Sequence, residues 1–272
     1  MLPRALNHMA VPALDWGAFL DLAKSLGCVG VEFRNDLDGS LFGGDEPAQV
    51  NAKLKAAGLR CLALAEVKSF TDWSDEKRAE AEALIKIAVA CGAEAVSLIP
   101  RNDGTKNGDA ERQNNLRVAL RELQPMLQAH GLLGLIEPLG FETSALRHKS
   151  EAVDAIEAMG AVNTFKLIHD TFHHTLAGGG PVFAAHTGIV HISGVRDPDI
   201  AVNDMRDDHR VLVDAADRLG NIEQIELLQL AGYTGPISFE PFAASVHTHS
   251  DPRRALAGSF EFISSRLAGM AA

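Results

Sequence analysis

Four residues at or near the ends of short apolar runs in the second half of the chain could do chemistry together. Glu137 follows Leu132–Ile136, Asp170 follows Phe165–Ile168, His191 lies inside Gly188–Ile192, and Glu240 follows Pro236–Phe239. Together they offer three carboxylates and one imidazole. Three negative charges brought to one point repel strongly unless a cation lies among them. An oxygen-rich set with one nitrogen and no thiolate suits a hard or borderline divalent ion, and ligand type does not choose among Mn²⁺, Mg²⁺, Co²⁺ and Zn²⁺.

Each residue alone has a plainer account. Glu137 and Glu240 each precede a proline, which can simply end a strand, and each could pair with a barrel Arg or Lys. A lone histidine in an apolar run, such as His191, is more often a satisfied core residue. Asp170 could cap the segment after it, accepting from the Phe172 or His173 backbone N–H. The joint placement on successive runs is what favours a site. Asp170 also belongs to the densest polar stretch, Phe165–His174, where His169, His173 and His174 accompany it. Strand alternation turns His169 away from Asp170, which gives His169 a structural role. His173 stands where it can share Asp170's target, and His174 is left unassigned.

The elements that must hold these groups form a repeating unit: a β-like run, a polar or glycine-containing turn, then a helix-like stretch. The first half supplies runs at Ala5–Met9, Val29–Phe33, Arg60–Ala65 and Ala95–Ile99. They end among Asn7 and His8, Glu32 and Arg34, and Glu66 and Lys68, polar groups that loops carry in any case. Helices are expected over 14–26, 47–57, 75–91 behind Ser74, 110–130, 150–159 and 252–267. Several runs are almost wholly apolar, as parallel strands buried on both faces are. Eight such units in 272 residues fit an α/β fold of the TIM (β/α)8 type, with one domain over 1–272. A doubly wound sheet would usually carry a glycine-rich phosphate loop after its first strand, and His8–Pro12 is unlike one. In a barrel the C-terminal strand ends face the active site, where all four residues would meet.

Composition narrows the partners. The formal net charge is −11, which disfavours nucleic acid and anionic membranes. No apolar stretch reaches the roughly 18 residues of a membrane span, and the N-terminus shows no secretory h-region. Three widely spaced cysteines, Cys28, Cys61 and Cys91, suit neither a disulfide framework nor a thiolate zinc site. A reducing cytoplasm is the expected setting. Trp16, Phe70 and Trp73 are candidates for pocket walls or for plain core.

The segments Leu135–Pro138, His169–His173, Gly188–Ile192 and Gly235–Pro241 resemble the xylose isomerase-like TIM barrel superfamily of sugar isomerases and epimerases. With Val31–Asp36 and Ile136–Glu142, the resemblance leans toward its 2-keto-myo-inositol (inosose) isomerase branch. It implies that Glu137, Asp170, His191 and Glu240 bind one divalent metal. It implies that Glu137 and Glu240 move protons on opposite sides of the substrate and that His173 lies near substrate oxygens. The family often continues strand 7 as His-x-x-Asp, whereas this chain reads His191-Ile-Ser-Gly194. The family's substrate-binding arginine after strand 7 has two counterparts here, Arg206 and Arg210.

The implied reaction is proton transfer in an α-hydroxyketone. A divalent metal chelating the carbonyl and hydroxyl lowers the pKa of the carbon acid and stabilises the enediolate. Carboxylates in reach then remove and return the proton. Return to the neighbouring carbon gives an isomer of a keto-polyol, with 2-keto-myo-inositol the first candidate. Return to the other face of the same carbon gives a ketose 3-epimerase of the tagatose 3-epimerase type. An inactive sugar-binding barrel is a further alternative. Asp208-His209 is faintly similar to a motif of the family's apurinic endonuclease branch, which the acidic charge opposes. Family members are often dimers or tetramers, so the resemblance also implies a homo-oligomer acting on a small molecule.

Overall fold

The computed structural model describes residues 3–270. Its strands are β1 (Arg4–Asn7), β2 (Gly30–Arg34), β3 (Arg60–Lys68), β4 (Ala95–Ile99), β5 (Leu133–Ile136), β6 (Phe165–Asp170), β7 (Thr187–Ile192) and β8 (Ile237–Phe239). They pair in sequence order, all parallel, and β1 closes on β8 with Leu6 opposite Phe239. The outer ring holds α1 (Trp16–Ser25), α2 (Pro47–Ala57), α3 (Asp75–Cys91), α4 (Asp109–Gln128), α5 (Lys149–Ala158), α6 (Thr171–Leu176), α7 (Asn221–Leu230), α8 (Ala244–His247) and α9 (Pro252–Met270). The expected eightfold βα barrel is present.

Local chemistry explains several boundaries. The Ser74 side chain accepts from the Lys77 N–H and starts α3 as expected, and Gly92 ends it at φ +75°, a left-handed position that favours glycine. Between β7 and β8 the sequence pattern shows no helix, yet α7 forms there. Leu227 and Leu230 lie on its solvent side, 53% and 77% exposed, which blurs the apolar periodicity that would have marked it.

The core has two layers. Leu6, Val31, Leu64, Val96, Ile136, Leu167, Val190 and Phe239 face outward and pack under the helices. Ala5, Ala63, Ala95, Leu135, Ile168 and Ile189 face inward and fill the lower barrel. Because side chains alternate along a strand, the residue two beyond each inward apolar position also faces inward. Leu135 is followed by Glu137, Ile168 by Asp170, and Ile189 by His191. The polar site is therefore the next layer up on the same columns. His169, on the opposite parity, points outward and is fully buried.

Candidate metal and substrate site

At the C-terminal mouth, Glu137, Asp170, His191 and Glu240 each present a ligand atom within 4.8 Å of the others, and all four are buried. Each approaches from a different strand end, so the barrel ring does the positioning. Glu137 Oε1 and His191 Nδ1 are buried with no hydrogen-bond partner among the described residues. His191 Nδ1 lies 3.1 Å from Glu240 Oε2 and 3.7 Å from Glu137 Oε1, close but misaligned for hydrogen bonds. Buried atoms of this kind are costly unless something between them takes their lone pairs. A divalent cation fits that donor set.

The other imidazole nitrogen is fixed from behind. Glu32 Oε2 accepts from His191 Nε2 at 2.9 Å, and Glu32 Oε1 accepts from the Ser238 hydroxyl at 2.5 Å. With the proton held at Nε2, the Nδ1 lone pair faces the site, the usual carboxylate–histidine arrangement behind a metal ligand. Burial opposes charge on His191, but Glu240 and Glu32 together hold its pKa well above the ordinary value. The same field favours any cation at this point.

Two buried arginines orient the carboxylates. Arg210 Nη2 donates to Asp170 Oδ2 at 2.6 Å and to Glu240 Oε2 at 3.1 Å, while its Nε donates to Ser193 and its Nη1 to Asp207. Its guanidinium lies over Phe242 and Phe172 at 4.6 and 5.1 Å. Arg34 Nη1 donates to Glu240 Oε1 at 2.6 Å, and its Nε and Nη2 grip Asp36. Asn7 Nδ2 is a second donor to Glu240 Oε1 at 3.2 Å, and so the third to this carboxylate. Asp170 also caps α6, its Oδ1 accepting from the His173 N–H at 2.9 Å. The capping role expected of Asp170 in isolation thus coexists with its place in the quartet.

These contacts divide the two glutamates. Burial pushes Glu240 upward, but His191, Arg34 and Arg210 overcome it and hold the carboxyl below the ordinary carboxylate range. Burial and the neighbouring Glu240 charge raise Glu137. Glu66, at the far end of β3, is pushed by burial up to about 7, against the pull of Arg34.

Glu137, His191 and Glu240 open into a cavity of about 150 Å³ that His173, Arg210, Asn7, Arg34 and Glu66 also line, whereas Asp170 borders a neighbouring cavity of about 140 Å³ with His173. Asn102, Phe141 and Asp207 also border an outer vestibule of about 330 Å³, where Arg206 lies. Arg206 Nη1 donates to the Asn203 and Met205 carbonyls. Of the two expected arginines, the chain therefore brings Arg210 to the quartet and Arg206 to the rim. Phe70 is in the core, Trp16 and Trp73 pack against it, and none of the three lines the inner cavity. The largest cavity described, about 470 Å³ between the 211–214 segment and α9, contains none of the quartet.

Behind β6, His169 Nδ1 lies 2.7 Å from Lys149 Nζ and its Nε2 lies 2.9 Å from Gln224 Oε1. Burial lowers Lys149 to about 7 and His174 to about 4. This cluster supports the wall that carries Asp170.

Residues 20–266 match the xylose isomerase-like TIM barrel family. The chain belongs to this family. Its fold is similar to a xylose isomerase domain-containing protein from Salmonella typhimurium LT2, at 29% identity over 98% of this chain and 97% of that one, with a TM-score of 0.88. It is also similar to IolI, solved with a bound zinc atom, at 16% identity over 98% and 99% of the two chains and a TM-score of 0.86. An L-ribulose 3-epimerase aligns at 18% identity over 99% and 95%, with a TM-score of 0.73. No curated protein matches the chain significantly in sequence. Among the described residues, no helix is long and apolar enough to cross a membrane.

Proposed function

We propose that this chain is a divalent-metal-dependent isomerase of a keto-polyol, with 2-keto-myo-inositol the first substrate to test. The observation that carries the reading is the convergent O₃N quartet with two unpartnered buried donor atoms, Glu137 Oε1 and His191 Nδ1, at the mouth of the barrel. Glu137, Asp170, His191 and Glu240 would hold the ion, and Mn²⁺, Zn²⁺, Mg²⁺ and Co²⁺ are all compatible with the donor set. A divalent ion held there would polarise the carbonyl and hydroxyl of an α-hydroxyketone and acidify the C–H of the hydroxyl-bearing carbon beside the carbonyl.

The chain's own groups supply the rest. Glu137 and Glu240 come from β5 and β8 and flank the cavity, so one can remove a proton and the other return it. Their environments differ: Glu240 is loaded with donors from Arg34, Asn7 and Arg210, whereas Glu137 Oε1 has none. Glu240 is held as the anion by those donors, none of which reaches Glu137, so Glu137 is the carboxylate suited to take up a proton. His173 and Arg210 line the same cavity and hold substrate oxygens, and Arg206 in the vestibule can meet a group extending outward. Covered by the barrel wall, these groups work in a low-dielectric space that strengthens their fields.

The same groups would serve a ketose 3-epimerase, which differs only in the carbon face that regains the proton. Solvent-deuterium exchange followed by NMR tests both, using inososes and ketohexoses with each of the four metals. Deuterium appearing beside a carbonyl supports the reading, and the product formed separates isomerase from epimerase. Glu137→Gln and Glu240→Gln should each lower exchange by about 10²–10⁴-fold. Full turnover in both variants would overturn the proton-transfer roles. An absence of exchange with every α-hydroxyketone would leave an inactive sugar-binding barrel.

A further inference from the structure

The inner cavity has a wall that the proposed reaction does not use. Glu66 sits near the end of β3, within the register shift between Leu64 and Val67 in its pairing with β4. In the ring order β3 stands across from β7, so a ligand held at the quartet has Glu66 on its far side. The Glu66 backbone is clamped by Asn35, whose Oδ1 accepts the Glu66 N–H at 2.9 Å and whose Nδ2 donates to the Glu66 carbonyl at 3.1 Å. The carboxyl is held less. Its only ion pair among the described residues is Arg34 Nη2 at 3.7 Å, and its side chain is 10% exposed, all but enclosed at the cavity. A nearly buried carboxyl with no hydrogen-bond partner of its own is short of donors.

The charges nearby say what those donors are. Glu66, Glu137, Asp170, Asp207 and Glu240 gather at this mouth. Against them stand Arg34, which pairs with Asp36 and Glu240, and Arg210, which pairs with Asp170, Asp207 and Glu240 and also donates to Ser193. Even with a divalent cation in the quartet, carboxylates remain in excess, and both guanidiniums lining the inner cavity are already paired with carboxylates, so what they still offer is a spare N–H for a neutral oxygen and not an unpaired charge. A phosphate or carboxylate on the ligand would meet uncompensated negative charge. Hydroxyl groups would not, because each can donate to a carboxylate and accept from a protonated one.

We propose that Glu66 is the specificity residue of this site, taking the hydroxyls on substrate carbons remote from the reacting pair and so selecting an uncharged polyol over a sugar phosphate or sugar acid. The assignment rests on the proposed function for the word substrate, but the recognition itself is a binding property and can be read without any reaction.

The test uses the full chain, loaded with a divalent ion, and non-reacting probes. Calorimetry would compare myo-inositol and a hexitol with their monophosphates, on wild type, Glu66→Gln and Glu66→Ala. Wild type should bind the neutral polyol at least about 10-fold more tightly than its phosphate. Glu66→Ala should weaken polyol binding about 10- to 100-fold, the worth of hydrogen bonds to a charged group, and Glu66→Gln, which still offers an acceptor, should lose less. If exchange is seen with a ketohexose, the loss in Glu66→Ala should fall on KM more than on kcat. It should be smaller on dihydroxyacetone, which lacks the remote hydroxyls. Equal binding of polyol and phosphate, no polyol binding by wild type, or unchanged polyol affinity in Glu66→Ala would each overturn the assignment. Glu66-dependent polyol binding without any exchange would instead uphold Glu66 and overturn the isomerase reading. Exchange that ignores Glu66 would do the reverse.

Discussion

Removing the charge behind His191 isolates what the barrel contributes to metal affinity. In Glu32→Gln the side-chain volume is kept, and the amide oxygen can still accept from Nε2. What is lost is the negative charge 2.9 Å from that nitrogen, which raises the basicity of Nδ1 toward the site. Outer-shell carboxylates of this kind are typically worth 10- to 100-fold in metal affinity, or about 1.4–2.7 kcal/mol. At an ion concentration about 100 times the wild-type dissociation constant, wild type gains about 2.7 kcal/mol on loading. A variant with about 30-fold weaker binding gains about 0.9 kcal/mol under the same conditions. For a chain of this size the difference corresponds to a metal-induced rise in Tm about 3 °C smaller than in wild type. Each protein is compared with its own metal-free Tm, so any loss of intrinsic stability cancels. Calorimetric titration with Zn²⁺ and Mn²⁺ gives the affinities directly. Equal dissociation constants in wild type and Glu32→Gln would refute the idea that Glu32 tunes His191 as a ligand.

Two further outcomes follow from packing and burial. A Cβ on Gly140 would fall 2.2 Å from the His173 carbonyl oxygen, so Gly140→Ala must displace α6 or the loop after β5. It should cost about 1–3 kcal/mol, read by urea denaturation, and an unchanged midpoint would refute the close approach. Lys149 has a folded pKa lowered by burial from 10.5 to about 7. Between those values the unfolded chain holds a proton that the native chain lacks, so this group makes stability rise with pH. Below about 7 both states are protonated and the burial penalty is complete. Lys149→Met should therefore stabilise the protein near pH 6 by up to about 5 kcal/mol, less the lost contact to His169. That gain should shrink toward pH 10 in thermal melts, and a gain independent of pH would contradict a buried, depressed amine.

The sequence made the second half of the site legible because the chemistry there obeys strand alternation. Glu137, Asp170 and His191 each stand two positions past an inward apolar residue, Glu240 stands two past the inward Ser238, and each strand ends within a residue or so of where its apolar run stops. No proline or glycine interrupts these columns on β6 and β7, where Ile168 to Asp170 and Ile189 to His191 are unbroken. The arginine after β7 was narrowed only to Arg206 and Arg210, because a run of short 3-10 turns has no period from which to tell inward from outward.

The first half was harder for a physical reason that bears on specificity. Its polar groups are not ligands of anything common to the whole quartet; they pair with one another and with residues far away in sequence. Arg34 reaches Glu240 across 206 positions, and Glu32 reaches His191 across 159. No local pattern encodes such pairs. Glu66 is less visible still, since alternation along Arg60–Ala65 cannot be carried through the shift between Leu64 and Val67. A bulge re-aims a side chain without leaving a residue-type signature. The division has a consequence for the chemistry. Groups that must converge on one ion are confined to a few geometries and sit on regular strands. Groups that distinguish one ligand from another can be placed by irregular backbone, where a small local shift moves a carboxyl against different hydroxyls. If so, substitutions around Asn35 that loosen the Glu66 backbone should alter which polyol binds before they alter metal affinity. Asn35→Ala should change polyol affinity severalfold with an unchanged metal dissociation constant, and a parallel loss of both would place Glu66 in the metal site's own support instead.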